Sequence, residues 1–451
     1  MQNSFKRIGI LGHVGAGNLG DEAIIAAVIQ NLRERCPHAE ICAFTTNAED
    51  TQERHHLPAF PLRRDAAPIA VRQIGFSSAT PSSSPFERLK NSLKRVPGVY
   101  WVLKAVRDFA SSSVGVVQEL GFITASYRRM KRVDLLIVAG SHQLNDFVGG
   151  AWAFPYTLLK WALLARIAGA QVALLSVGAG PIHSRLGRQF IRWTLALACY
   201  RSFRDERSRN LVVEMGASGE NLYVPDLAFS LRIAGPVRLR QASRPVVGIN
   251  PLPFFDRWYW YKSDEHLYLE YVRKLAAVTE FLIDNGYDVW LFPTQLRADP
   301  AVIKDVRCAM REGYHSSLVN WPVQTFDELT EGIHACRVVI ATRYHGILIA
   351  LLLKRPVLAL AYHGKSQDLM SLLGQAHYAL DATCWDVPTI SDLFFEIERE
   401  RDQVTERIAS RLPTIRRALA NQYDVLIGHD LPKRESAASE QFEVPSGTGW
   451  N

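Results

Sequence analysis

The sequence predicts an α/β protein built from two doubly wound parallel sheets that face each other across a ligand cleft. Three observations carry this prediction. Strand-like apolar runs alternate with helical patterns almost throughout, and such alternation yields parallel strands covered by crossover helices. The alternation stops at the linker-like stretch "RIAGPVRLRQASRP" (232–245) and then starts again. Finally, 451 residues exceed what a single hydrophobic core normally organises. In open sheets of this kind a ligand binds beyond the C-terminal strand ends, so candidate residues are sought there.

In the first half, "RIGILG" (7–12) reads as a strand and "DEAIIAAVIQNLRER" (21–35) as a helix, with apolar residues at helical spacing. "EICAFTT" (40–46), "VDLLIVAG" (133–140), "VALLSVGAG" (172–180) and "ACYRSFRD" (198–205) continue the strands, and "LYVPDLAFSL" closes the unit. In the second half the strands are "VVGINP" (246–251), "DVWLFP" (288–293), "VVIATR" (338–343) and "PVLALAY" (356–362). Helices are expected at 264–285, 300–311, 326–335 and 344–353. The resulting division is an N-terminal domain over 1–235, a C-terminal domain over 246–430, and a polar, disordered tail over 431–451.

Residues 61–132 break the pattern. They are rich in Ser and Pro near 77–85 and then basic, with ten Lys/Arg against Asp108 and Glu119 between Arg88 and Arg132. A basic helical insertion is expected here. It is either a solvated element with a core-facing stripe or a contact with anionic lipid at the inner face of the membrane. A net charge of +7 favours acidic partners such as phosphate esters, anionic glycans or a membrane surface, and no nucleic-acid partner is expected. Cys36, Cys42, Cys199, Cys308, Cys336 and Cys384 show no C-x-x-C pair, so they read as thiols of a reducing compartment. With no signal-peptide core and no uninterrupted apolar span, a cytoplasmic location is expected.

The segment "GHVGAGNLGDEAI" (12–24) places four glycines between the first strand and its helix. It is neither the dinucleotide fingerprint nor a P-loop, because the required glycine spacing and Lys-Ser/Thr are missing. Asp21 and Glu22 suit a helix N-terminus but oppose a phosphate there. The loop is therefore expected to admit close approach by a neutral or mixed ligand, or to serve helix–strand packing. Further on, "ATRYHGILIALLLKRPVLALAYHGK" (341–365) sets Arg343 and His345 at one strand end and Lys365 at the next. Arg offers a bidentate fork for carboxylate or phosphate, and His can exchange a proton near neutral pH. Arg204, in "YRSFRDERS", is either a partner of Asp205 and Glu206 or an opposing anion clamp. His13 and His142 are kept as ligand contacts. The "HH" at 55–56 lacks a third ligand, so no metal is expected, and without G-x-S-x-G no hydrolase triad is expected.

These motifs together resemble the polysaccharide pyruvyl transferases. "GNLGDEAI" (17–24) is similar to the family's N-x-G-D-E-A loop. "SVGAGPIHSRLGRQFIRW", "YRSFRDERSRNLVVEMGA" and "VPDLAFSL" resemble its G-x-G-x-G-P, S-x-R-D-x-x-S and D-L-A-F segments, and 341–365 resembles its R-x-H helix start with a downstream Lys. The resemblance spans about residues 7 to 375 in family order. It implies a GT-B-like pair of Rossmann-like domains with the active site in the cleft. It also implies transfer of a pyruvyl group from phosphoenolpyruvate to sugar hydroxyls, without cofactor or metal. By this resemblance His345, protonated, is the general acid, and Arg204, Arg343 and Lys365 hold the donor's carboxylate and phosphate. Asn18, Asp21 and His142 line the substrate site, and the acceptor is a sugar or a lipid-linked oligosaccharide. The loop "AGSHQLNDFVGG" (139–150) departs from the family's G-G-G-x pattern, which implies an altered acceptor.

Two other readings accompany this one. A glycosyltransferase of the same architecture would use a nucleotide sugar, with Thr294, Gln295 and Asp299 of "FPTQLRADP" as polar contacts. A non-catalytic polysaccharide-assembly protein would have no need of a positioned acid beside the cations.

Overall fold

The computed structural model describes residues 5–12, 15–64, 117–147, 149–233, 235, 242–260 and 262–428. Strands β1 (Arg7–Leu11), β2 (Glu40–Thr45), β3 (Ala59–Pro61), β4 (Leu135–Ala139), β5 (Gln171–Val177), β6 (Tyr200–Phe203) and β7 (Leu222–Tyr223) form one sheet in the order β3-β2-β1-β4-β5-β6-β7. Strands β8 (Val246–Asn250), β9 (Asp288–Leu291), β10 (Cys336–Ala341), β11 (Val357–Ala361) and β12 (Ala379–Asp381) form a second, ordered β12-β11-β10-β8-β9. Their ladders are parallel in both sheets. Strands β4, β8 and β11 are buried along their whole length, which is why they read as unbroken apolar runs rather than alternating ones.

Strand order reverses between β1 and β4 in one sheet and between β8 and β10 in the other. Loops leaving neighbouring strands at such a point diverge to opposite faces and open a crevice at the C-terminal edge. Both crevices point into the same cleft. The predicted helix over 326–335 is Phe326–Ala335, started by a reciprocal capping box of Thr325 and Glu328. The first helix begins earlier than its periodicity suggests, at Leu19, because Asn18 caps it through Gly20 N.

The sequence pattern does not mark the edge strands β3 and β12, nor helices Val387–Arg399 and Arg401–Ile427. The last of these leaves the second unit and returns to the first. Its Gln422 accepts a 2.7 Å hydrogen bond from Ser202 of β6, and its Asp424 pairs with Arg35 at 2.7 Å. Leu412, Ile415, Leu419 and Tyr423 are buried along this helix. Apolar side chains of both halves thus belong to one continuous core. A helix over 117–130 covers the other face of the first sheet with Phe122 and Tyr127. Most of the basic insertion expected at 61–132, and the tail from 429, lie outside the described residues. No helix among the described residues is long and apolar enough to cross a membrane.

Candidate active site

The loops after β1, β4, β5 and β6 meet the loops after β10 and β11 across the cleft. After β1 the glycine-rich loop docks on the second domain. Leu19 N donates to Thr294 O (2.9 Å), Leu296 N to Gly17 O (2.7 Å) and Gln295 Nε2 to Ala16 O (3.0 Å). A Cβ on Gly20 would lie 1.9 Å from His345 Cγ. The glycine at this position therefore makes room for a histidine of the opposite domain. This differs from the sequence-based expectation of ligand approach or helix–strand packing, because the partner comes from more than 300 residues away.

His345 lies in the first turn of helix Tyr344–Leu352, directly beyond β10. Its Nε2 is shielded from solvent and has no hydrogen-bond partner. Arg343 precedes the helix and turns its guanidinium onto Asp299, with Nε 2.9 Å from Oδ1. Asp299 is fully buried and also accepts from Thr294 N (2.9 Å) and Gln295 N (2.8 Å). Lys365, in the first turn of helix Gly364–Leu372, stands 5.7 Å from the centre of the Tyr344 ring. Arg204, beyond β6, lies 5.0 Å from the same ring centre. Tyr344 is thus in contact with both cations, an arrangement favoured by the ring quadrupole.

Arg204 is buried and braced from the first domain. Its guanidinium is 3.4 Å from Asp226, 3.6 Å from Asp205 and 3.2 Å from His142 Nδ1. Because Nδ1 accepts from Arg204, the proton of neutral His142 sits on Nε2, which donates to Gly180 O. Gly178 is needed here, since a Cβ would fall 2.8 Å from both Arg204 Nε and His142 Nδ1. Gly140 and Ser141, at φ 44° and 57°, turn the chain sharply after β4. Ser141 bonds to Asp21, and Asn18 Nδ2 donates to the Asp21 carboxylate at 2.8 Å.

The electrostatics follow from burial and crowding. Burial, then the fields of Arg204, Lys365 and Arg343, pushes the His345 imidazolium down to about 3. Burial, then Arg204, brings Lys365 down to about 7. Burial raises Asp21 to about 7 against its bond from Ser141, and holds His142 well below its ordinary value. At neutral pH the free site therefore contains a neutral His345 facing three basic side chains. Burial and these cations favour the neutral ring over the protonated form that the general-acid role requires.

The structure brings His345, Arg204, Arg343, Lys365, Asp21, Asn18 and His142 into one electrostatically connected cluster. It assigns several of them protein contacts in place of free donors. Asn18 is a helix cap, His142 has both ring nitrogens engaged, and Arg343 is held by Asp299. His13 lies outside the described residues. Sequence reasoning missed Tyr344 and Asp226, and it placed Ser141 in the polar loop over 139–150 without a partner. Tyr344 and Asp226 stood inside the quoted motifs "RYH" and "VPDLAF", but nothing in their spacing signals a shared contact with Arg204. Thr294, Gln295 and Asp299, expected as nucleotide contacts, instead anchor the β1 loop and Arg343.

The model of the polysaccharide pyruvyl transferase family matches residues 18–364. Among solved structures, the chain is similar to Staphylococcus aureus MnaA with UDP, at TM-score 0.55 and 9% identity, over 97% of this chain and 100% of that one. It is also similar to UDP-GlcNAc 2-epimerase from Neisseria meningitidis bound to UDP-GlcNAc, at TM-score 0.52 and 12% identity, over 93% and 99%. Anabaena HepE in complex with UDP-glucose matches at TM-score 0.50 and 15% identity, over 94% and 98%. At such identities these likenesses establish the fold, a GT-B-like pair of Rossmann-like domains, and nothing about the ligand.

Proposed function

This chain belongs to the polysaccharide pyruvyl transferase family, and on that premise we propose that it moves the pyruvyl group of phosphoenolpyruvate onto sugar hydroxyls of a cell-surface glycan. The observation that carries the proposal is His345 Nε2, buried without a hydrogen-bond partner, beside Arg204, Arg343 and Lys365. Phosphoenolpyruvate brings a phosphate and a carboxylate to such a cluster. Lys365 has no ion pair among the described residues and is the most available cation. Arg343, oriented by Asp299, supplies its remaining N–H donors, and Arg204 adds charge from behind Tyr344.

Donor binding also supplies the acid. Its negative charge offsets the cations that keep His345 neutral, so the ring takes up a proton beside the methylene carbon. His345 then donates that proton to the methylene carbon. The carbon–carbon double bond becomes a methyl group, and the former enol carbon gains oxocarbenium character. A sugar hydroxyl adds there and loses its proton to the now neutral ring. A second hydroxyl displaces phosphate, which leaves with the last proton, and a cyclic ketal results. The acceptor is a sugar, free or lipid-linked. The thiols, none of them disulfide-bonded, fit a cytoplasmic setting.

The nucleotide-sugar alternative has fewer polar contacts to draw on, since the Gln295 and Asp299 side chains are engaged within the protein. Calorimetric titration with phosphoenolpyruvate and, separately, with a panel of nucleotide sugars tests the choice. The expected result is donor binding that weakens about tenfold or more in Lys365→Met and Arg343→Ala, through loss of charge-assisted hydrogen bonds. Binding of a nucleotide sugar alone would overturn the proposal.

A further inference from the structure

Helices Phe154–Ile167 and Arg185–Leu197 lie side by side on the outer face of the first sheet. Trp152 and Phe190 join them, with ring centres 5.4 Å apart. Phe147, Trp152, Leu163, Ile167, Leu186 and Trp193 project from these two helices and the loop before them. They are six of the fifteen large apolar side chains exposed among the described residues, and Trp152 alone is 67% exposed. Ordinary surfaces scatter such residues singly, and a gathered patch marks an interaction site.

The charge on these two helices has one sign. Neither helix contains an Asp or Glu. Arg166, Arg185, Arg188 and Arg192 are exposed, and none forms an ion pair among the described residues. The neighbouring helix over 117–130 has a single acid, Glu119, which Lys160 already engages at 2.8 Å. Trp152 stands at one end of helix Phe154–Ile167 and Ile167 at the other. The apolar strip is thus about 20 Å long at the helical rise per residue. A sugar-stacking platform for the active site would not extend to the far end of that helix.

We propose that this face docks on a membrane surface rich in anionic lipid. Trp152 and Trp193 enter the headgroup–acyl boundary, where indole rings are favoured, and the four arginines meet the anionic headgroups. Docking would hold the cleft near the bilayer, where a lipid-linked acceptor is presented. The docking itself does not depend on the donor's identity.

Vesicle co-sedimentation of the full chain tests this, using phosphatidylcholine alone and phosphatidylcholine with phosphatidylglycerol. Binding is expected only to the anionic vesicles and is expected to fall with salt. It should weaken about tenfold in Trp152→Ser/Trp193→Ser and at least as much in Arg188→Glu/Arg192→Glu, with phosphoenolpyruvate titration and Tm unchanged. No binding by wild type would overturn the proposal, as would binding that both double variants retain. Two further results would also overturn it: a loss confined to soluble oligosaccharide affinity, which would make the patch a glycan platform, or self-association through these residues.

Discussion

Burial, and then three basic neighbours, favours the neutral form of His345, so the ring has no imidazolium proton to give until an anion enters. Phosphoenolpyruvate binding at pH 7 should therefore be accompanied by net proton uptake. Titrations in buffers of different ionisation enthalpy measure it, and His345→Gln should take up less while still binding donor. That variant should lose about 10²–10⁴ in kcat, the usual contribution of a positioned acid; uptake unchanged by the substitution would place the acid elsewhere. Asp21 shows the opposite sign. Its carboxyl is raised from 3.8 to about 7, so the folded state binds the proton more tightly than the unfolded chain does. The resulting stability is complete below pH 3.8 and is lost as pH rises through about 7, by an amount on the order of 4 kcal/mol. In Asp21→Asn the decline of Tm between pH 4 and 7 should flatten. An unaltered decline would assign it to other groups. Arg343, His345 and Lys365 were legible because two consecutive strand ends carried them. The preference of His345 for its neutral form was not, because it depends on burial and on the nearness of Arg204, which lies 141 positions away in the chain.

At the scale of elements, the β1 loop and helix Tyr344–Leu352 form an interlock. Gly20 faces the His345 ring, and the backbone of 17–19 pairs with 294–296. Gly20→Ala would favour the helix by local propensity, yet its methyl group would occupy the position of the imidazole. The overpacking is expected to cost about 1–3 kcal/mol and to displace His345. Paired measurements of Tm and kcat should show both falling, and a normal kcat would mean that the ring relaxes without consequence. The strands could be read because each is a buried apolar run bounded by turn residues. The helix boundaries were less clear. Leu19 belongs to the first helix only because Asn18 caps it, and a cap one turn before the apolar periodicity resembles any other loop residue.

Over the whole molecule, helix Arg401–Ile427 ties the last part of the chain to the first sheet. Tyr423 is fully buried there, beneath the guanidinium of Arg35. Tyr423→Ala should cost about 3–5 kcal/mol. Hydrogen exchange should speed up in helix Leu19–Arg35 as well as in the terminal helix, whereas loss of protection in the terminal helix alone would show that the two halves unfold independently. By itself, the sequence determined the two-sheet α/β class, the family, and the strand ends on which the cations stand, because hydrophobic period and local motif are short-range properties. Only the tertiary structure decided that Gly20 makes room for a histidine from the other domain, that the Gln295 and Asp299 side chains bond within the protein, and that burial and neighbouring cations favour an uncharged His345. Each of these outcomes depends on proximity between distant segments, and burial and Coulomb fields act through space, not along the chain.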